Sequence, residues 1–181
     1  MTDLREIIEG CKSNKGKYQD MLYARFSKML FGTCLRYTRN SFDAEDVLQE
    51  GFIKIFKNIN MYSQDKSFEG WIRRIMINTA ITHYRKHLKH AYHDDVTESH
   101  DLSADLGPDQ NCEFSKEELM EAINKLPAGY KMVFNMYVVE GYKHKEIADA
   151  LRIDINTSKS QLSRAKKYLQ RELAEMSKIN L

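Results

Sequence analysis

The chain has 181 residues, of which 42% are hydrophobic and 30% charged, with only two prolines and eight glycines. That composition suits one globular domain or two small ones, not a disordered chain. No apolar run approaches the roughly 20 residues of a membrane span. Residues 1–17 carry Asp3, Glu6 and Glu9 and no apolar stretch of the signal-peptide kind.

Cys11, Cys34 and Cys112 lack CxxC spacing, which points to a reducing cytoplasm rather than a disulfide framework. The formal net charge of +2 conceals a strong asymmetry. Residues 1–92 hold 16 Lys and Arg against 10 Asp and Glu, residues 93–113 hold seven acids and no base, and residues 114–181 hold 12 bases against nine acids. Two basic modules therefore flank an acidic strap. Such modules suit a polyanion, although two solvated surfaces joined by a linker have the same composition.

In chain order, residues 18–37 are expected to form a helix, because Leu22, Phe26, Leu30, Cys34 and Tyr37 recur at spacings of three and four. A second helix follows Ser41 or Asp43 as its cap and carries Leu48, Phe52, Ile55 and Ile59 on one stripe. Opposite that stripe, Asp46, Gln49 and Glu50 share a side. Residues 60–67 are polar apart from Met61 and Tyr62. A third helix, about 68–87, places Phe68, Trp71, Ile72, Ile75 and Thr79 on one face. Arg74, Asn78, Ile81 and Arg85 fall on a second stripe about 100° away. Guanidinium, amide and aromatic groups on such a helix suit bases that have left the stack.

His83, His87, His90 and His93 follow at spacings of four, three and three. The first three share a helix face, but nothing on that helix completes an HExxH-type set. They are read as an extension of the basic end formed by Arg85 and Lys86, with no metal site.

Residues 93–112, acidic and holding Gly107-Pro108, read as a linker. The C-terminal module opens on Ser115 and Glu118 at capping-box spacing, with Phe114 and Leu119 as the expected staple. Leu119, Ile123 and Leu126 run up to Pro127. A helix over about 129–140 stops at Gly141. Residues 143–151, a break at Arg152-Ile153-Asp154, and a last helix over about 156–176 make a helix-turn-helix pattern. Asp154 or Asn156 caps the last helix. Ser158, Leu162, Ala165 and Leu169 form its buried face, and Ala148 provides the small residue a steep crossing needs. Lys159, Ser160, Ser163, Arg164 and Lys167 lie on the opposite face, where cations reach phosphates or guanine edges. An amphipathic hairpin with a solvated basic face fits the same residues. No strand pattern, phosphate loop, GxSxG or oriented Cys–His pair is present. The expected fold is all-α, with two small helical domains at about 1–92 and 113–175.

These pieces, in this order, resemble the extracytoplasmic-function group of RNA polymerase sigma factors. The stretch DAEDVLQEGFIKIF at 43–56 is similar to the family's region 2.2. FEGWIRRIMINTAITHYRK at 68–86 resembles regions 2.3 and 2.4. Leu126-Pro127, YKHKEIA at 142–148 and NTSKSQLSRAK at 156–166 resemble region 4. The resemblance covers about residues 18–90 and 114–172.

It implies a cytoplasmic, non-enzymatic protein without cofactor that binds core RNA polymerase at the clamp helices of the largest subunit and at the flap. It implies that Asp46, Gln49 and Glu50 touch the clamp helices. Tyr62 and Ser63, in a loop that captures a flipped base, would face −10 DNA with Arg74, Asn78, Arg85 and Lys86. Thr157, Lys159, Ser160, Ser163, Arg164 and Lys167 would lie in the −35 major groove. An anti-sigma partner is implied as well, and through it a hold at the membrane without insertion. The chain departs from the family at Thr82, where Asp is usual, at Arg152, where Gly is common, and at Gln161 and Ser163, which help choose the −35 bases. Two other readings fit parts of the chain: a stand-alone helix-turn-helix regulator, and a metalloenzyme built on His83, His87 and His90.

Overall fold

The computed structural model describes residues 2–63, 65, 67–91 and 114–179. Among these residues there are helices and turns and no strand. The chain divides into two compact units, Met1–His90 and Ala91–Leu181. The linker expected at 93–112 lies outside the described residues.

The first unit is built from α1 (Leu4–Lys12), α2 (Gly16–Tyr37), α3 (Ser41–Asn58), a 3-10 turn at Ile59–Met61, and α4 (Phe68–Ala91). The expected stripes on α2 and α3 are its core: Leu22, Leu30, Cys34, Ile55 and Ile59 are sealed from solvent, and Phe26, Tyr37, Leu48 and Phe52 nearly so. Helix α1 lies where the composition had only excluded a signal peptide. It packs on α2 through Ile7, Ile8 and Cys11.

Three expectations here need correction. The α3 cap is Asn40, one residue before Ser41. Its side chain accepts from the Asp43 N–H at 2.8 Å, satisfying a donor that has no partner inside the helix. Helix α4 runs on to Ala91, beyond the expected end at 87. Its buried face is also displaced. Phe68, Ile72, Met76, Thr79 and Ala80 are buried, together with Ile77 and Ile81, whereas Trp71 and Ile75 are only half-buried. Met76 of α4 reaches Gly51 of α3, where a β-carbon would meet the flexible end of the methionine side chain.

The second unit holds α5 (Lys116–Lys125), α6 (Ala128–Phe134), a π-helical turn at Asn135–Val139, α7 (His144–Leu151) and α8 (Ile155–Ile179). The Ser115–Glu118 capping box forms in full. The proposed staple stays open on one side, since Leu119 is 40% exposed. The single helix expected over 129–140 instead changes pitch at Asn135, which is fully buried, and ends at Gly141 with φ of +75°. Helices α5, α6 and α7 all pack on α8, whose buried side is the expected Ser158, Leu162, Ala165 and Leu169.

Candidate polymerase and nucleic-acid surfaces

In the second unit, α7 and α8 are joined by Arg152, Ile153 and Asp154. Arg152 adopts the left-handed conformation (φ 58°, ψ 45°), and the Ile153 N–H returns to the Ala148 carbonyl at 3.1 Å. This is the reversal that glycine performs most easily. Asp154 caps α8: its carboxylate accepts from the Asn156 N–H at 2.7 Å, which decides between the two expected caps. At the other end of α7, the Lys143 N–H donates to the Glu146 carboxylate at 2.7 Å. His144 stacks on Tyr137 with ring centroids 4.6 Å apart, and its Nδ1 lies 3.0 Å from the Ser158 hydroxyl. That contact accounts for a serine buried in α8, and it is a tie that helical periodicity does not reveal.

So braced, α8 turns Lys159, Ser160, Ser163, Arg164 and Lys167 to solvent, with Thr157 half-buried at the start of the row. Ser160 donates to the Thr157 carbonyl at 3.0 Å and so presents its oxygen outward as an acceptor.

In the first unit, Asp46 and Gln49 are exposed on α3, one turn apart. Gln49 also edges a groove between α2 and α3, lined with Tyr23, Phe31 and Leu48 and about 390 Å³ in volume. Glu50 behaves differently from its two neighbours. It is half-buried and paired with Lys54 at 2.7 Å, and that pairing holds its carboxyl below the usual range. The same Lys54 ammonium donates to the Thr79 hydroxyl of α4 at 3.2 Å.

The turn between α3 and α4 is fixed at both ends. Tyr62 meets Phe68 edge-on at 5.0 Å and Trp71 at 5.5 Å, while the Ser67 carbonyl and hydroxyl accept the Trp71 and Gly70 N–H groups. Between them, Ser63 is exposed and donates to Asp65 at 2.8 Å. Gln64 and Lys66 of this loop lie outside the described residues. On α4, Arg74, Asn78 and Lys86 are exposed and Arg85 is half-buried. Ile81, expected on the same stripe as Arg74 and Asn78, is buried, so the outward row is interrupted there. Thr82 donates to the Asn78 carbonyl at 2.9 Å. The position where the family usually carries an acid thus bonds to its own helix.

Residues 22–89 match the family model of Sigma-70 region 2, and residues 116–169 match that of Sigma-70, region 4. Together the two matches cover two thirds of the chain, in the order found along it. The chain belongs to the sigma-70 family. It is a sigma factor of the extracytoplasmic-function group, a factor of promoter-specific transcription initiation.

It is 24% identical over 183 residues to the ECF RNA polymerase sigma-E factor of Haemophilus influenzae, covering 96% of each chain. It is 29% identical over 139 residues to the RNA polymerase sigma factor SigV of Bacillus subtilis, covering 77% of this chain and 81% of that one. Its fold is similar to that of the sigma factor RpoE from Bartonella quintana, solved in complex with the anti-sigma factor NepR. That likeness has a TM-score of 0.50 at 20% identity and covers 86% and 96% of the two chains. Within this sigma factor, the region 2 match spans the exposed residues of α3 and α4, and the region 4 match spans the outward row of α8. Among the described residues, no helix is long and apolar enough to cross a membrane.

Proposed function

We propose that this sigma factor divides promoter recognition between its two units: residues 1–92 serve core polymerase and the −10 element, and residues 113–175 serve the −35 element. The observation that carries the reading is the outward row of α8, where Lys159, Ser160, Ser163, Arg164 and Lys167 stand clear of a buried face braced by α7. A helix of this kind fits the major groove. Its cations pair with phosphates or guanine edges, Ser163 can take either partner, and the Ser160 oxygen, its proton given to Thr157, accepts from a base amino group. The amides of the first turn of α8 lie beside Thr157 and are suited to a phosphate.

In the first unit, Asp46 and Gln49 are the primary contacts for the clamp helices of the largest polymerase subunit, and Glu50 joins them on leaving Lys54. Tyr62 and Ser63 receive an unstacked base of the −10 element, and Arg74, Asn78, Arg85 and Lys86 hold the strand. Half-buried aromatics beside an exposed polar loop support this, because stacking needs a flat ring and cations to retain the backbone. The protein performs no chemistry of its own, and catalysis belongs to the polymerase. It acts in the cytoplasm, and an anti-sigma factor, the kind of partner named with the Bartonella protein, holds it at the membrane until it is released.

The test is transcription in vitro with core polymerase on fragmented host DNA, with 5′ ends mapped. Starts that appear only with the protein, preceded by shared −35 and −10 elements, are the expected result. Duplex binding without polymerase, and no new starts, would favour a stand-alone regulator. The double substitution Asp46→Ala with Gln49→Ala tests the docking face: it should weaken core binding with the fold intact, and unchanged core affinity would refute the assignment.

A further inference from the structure

The structure assigns a transition-metal site to Asp43, His83 and His87, at the junction of α3 and α4. The three side chains each offer a ligand atom, and these atoms lie within 4.8 Å of one another. Histidine spacing along α4 led to a different expectation, a trio with His90 that lacked a carboxylate. The fold brings the carboxylate from the first turn of α3, 40 residues earlier in the chain.

The geometry suits an ion of the zinc class. His83 and His87 are four residues apart on one helix face, and their Nε2 atoms are 3.2 Å apart. Two nitrogens at that separation, each about 2.0–2.1 Å from a shared ion, subtend about 100° at it, close to a tetrahedral edge. Two imidazoles and one carboxylate are a donor set that zinc takes readily, and the same set also suits cobalt and nickel. The carboxylate is already oriented: Asn40 Nδ2 donates to one Asp43 oxygen at 3.3 Å, leaving the other for the ion. Three protein ligands leave the fourth position to water.

An ion there would pin the start of α3 to the C-terminal half of α4. None of the residues assigned to polymerase or −10 DNA is one of its ligands.

The experiment is a calorimetric titration of metal-stripped, full-length protein with zinc chloride, alongside the visible spectrum after cobalt addition. One zinc ion per chain and the absorption bands of tetrahedral cobalt are expected. His87→Ala and Asp43→Asn should each weaken zinc binding at least about tenfold. His87 is exposed, so its replacement should leave the fold intact, which far-UV circular dichroism checks. The His90→Ala/His93→Ala double variant should bind zinc as the parent does. Absence of saturable uptake would overturn the assignment and leave two histidines whose Nε2 atoms lie 3.2 Å apart. Uptake that survives His87→Ala but vanishes in the His90/His93 variant would overturn it too.

Discussion

Arg152 and Gly141 have the same backbone handedness but opposite chemistry, and together they test the account of the second unit. Arg152 holds φ of 58° with a β-carbon, whereas Gly141 holds φ of 75° without one. The left-handed region costs a residue with a β-carbon about 1–2 kcal/mol. Glycine avoids that cost but gives up about 0.5–1 kcal/mol of unfolded-chain entropy.

Arg152→Gly should therefore stabilise the unit by about 0.5–1 kcal/mol. Gly141→Ala should destabilise it by a similar amount. Nothing lies within 4 Å of a β-carbon built at Gly141, so the penalty there is conformational and not steric.

Urea unfolding followed by far-UV circular dichroism measures both. The single tryptophan, Trp71, lies in the first unit, so its fluorescence reports that unit separately and leaves the second to be read from the ellipticity. The expected shifts are a few tenths of a molar in midpoint, upward for Arg152→Gly and downward for Gly141→Ala. A downward shift for Arg152→Gly would refute the reasoning and show that the arginine side chain outweighs the strain of its backbone.

Arg164→Ala should lower promoter affinity by about 1–3 kcal/mol and relax preference at one −35 position, whereas Lys159→Ala, if it meets phosphate, should weaken all sequences alike and reduce the salt slope by about one. Binding titrations on a panel of −35 variants at two salt concentrations distinguish these outcomes. The Glu50–Lys54 pair should contribute stability above the ordinary carboxyl value of 4.5 that is lost as pH falls through the lowered folded-state value. The urea midpoint of Glu50→Gln should accordingly fall less between pH 5 and pH 3 than that of the parent. Burial raises the Cys11 thiol to about 11 and the Cys34 thiol to about 12. A thiol reagent at pH 8 should modify neither until the first unit unfolds, as peptide mapping of the labelled protein would show.

The core stripes of α2, α3 and α8 were legible because each helix buries one side, so a spacing of three and four marks the core directly. Helix α1 was not legible: nine residues with three buried apolar side chains make too short a pattern. Helix α4 misled for the opposite reason. Isoleucines at 72, 75, 77 and 81 surround it, and which of them is buried depends on tertiary packing that spacing alone does not show. For the candidate sites, periodicity showed which residues of α8 face outward but not that His144 braces Ser158. Likewise it marked Glu50 as a surface acid without showing that Lys54 had already engaged it. The first depends on a contact between helices, as does the meeting of Asp43 with His83 and His87, whereas the second is a pair four residues apart within α3, which the spacing permits but does not require.

Lys54 lies between the two faces assigned to the first unit, bonded to Glu50 on one side and to Thr79 of α4 on the other. A partner that takes Glu50 withdraws one of the two groups holding this ammonium and alters its hold on α4. By thermodynamic reciprocity, a ligand on α4 that this partner weakens or strengthens through Lys54 would change the partner's own affinity by the same factor. On the proposed assignment of Glu50 to polymerase and of α4 to melted DNA, this shared lysine would couple the two, and replacing it with methionine should let each vary without the other.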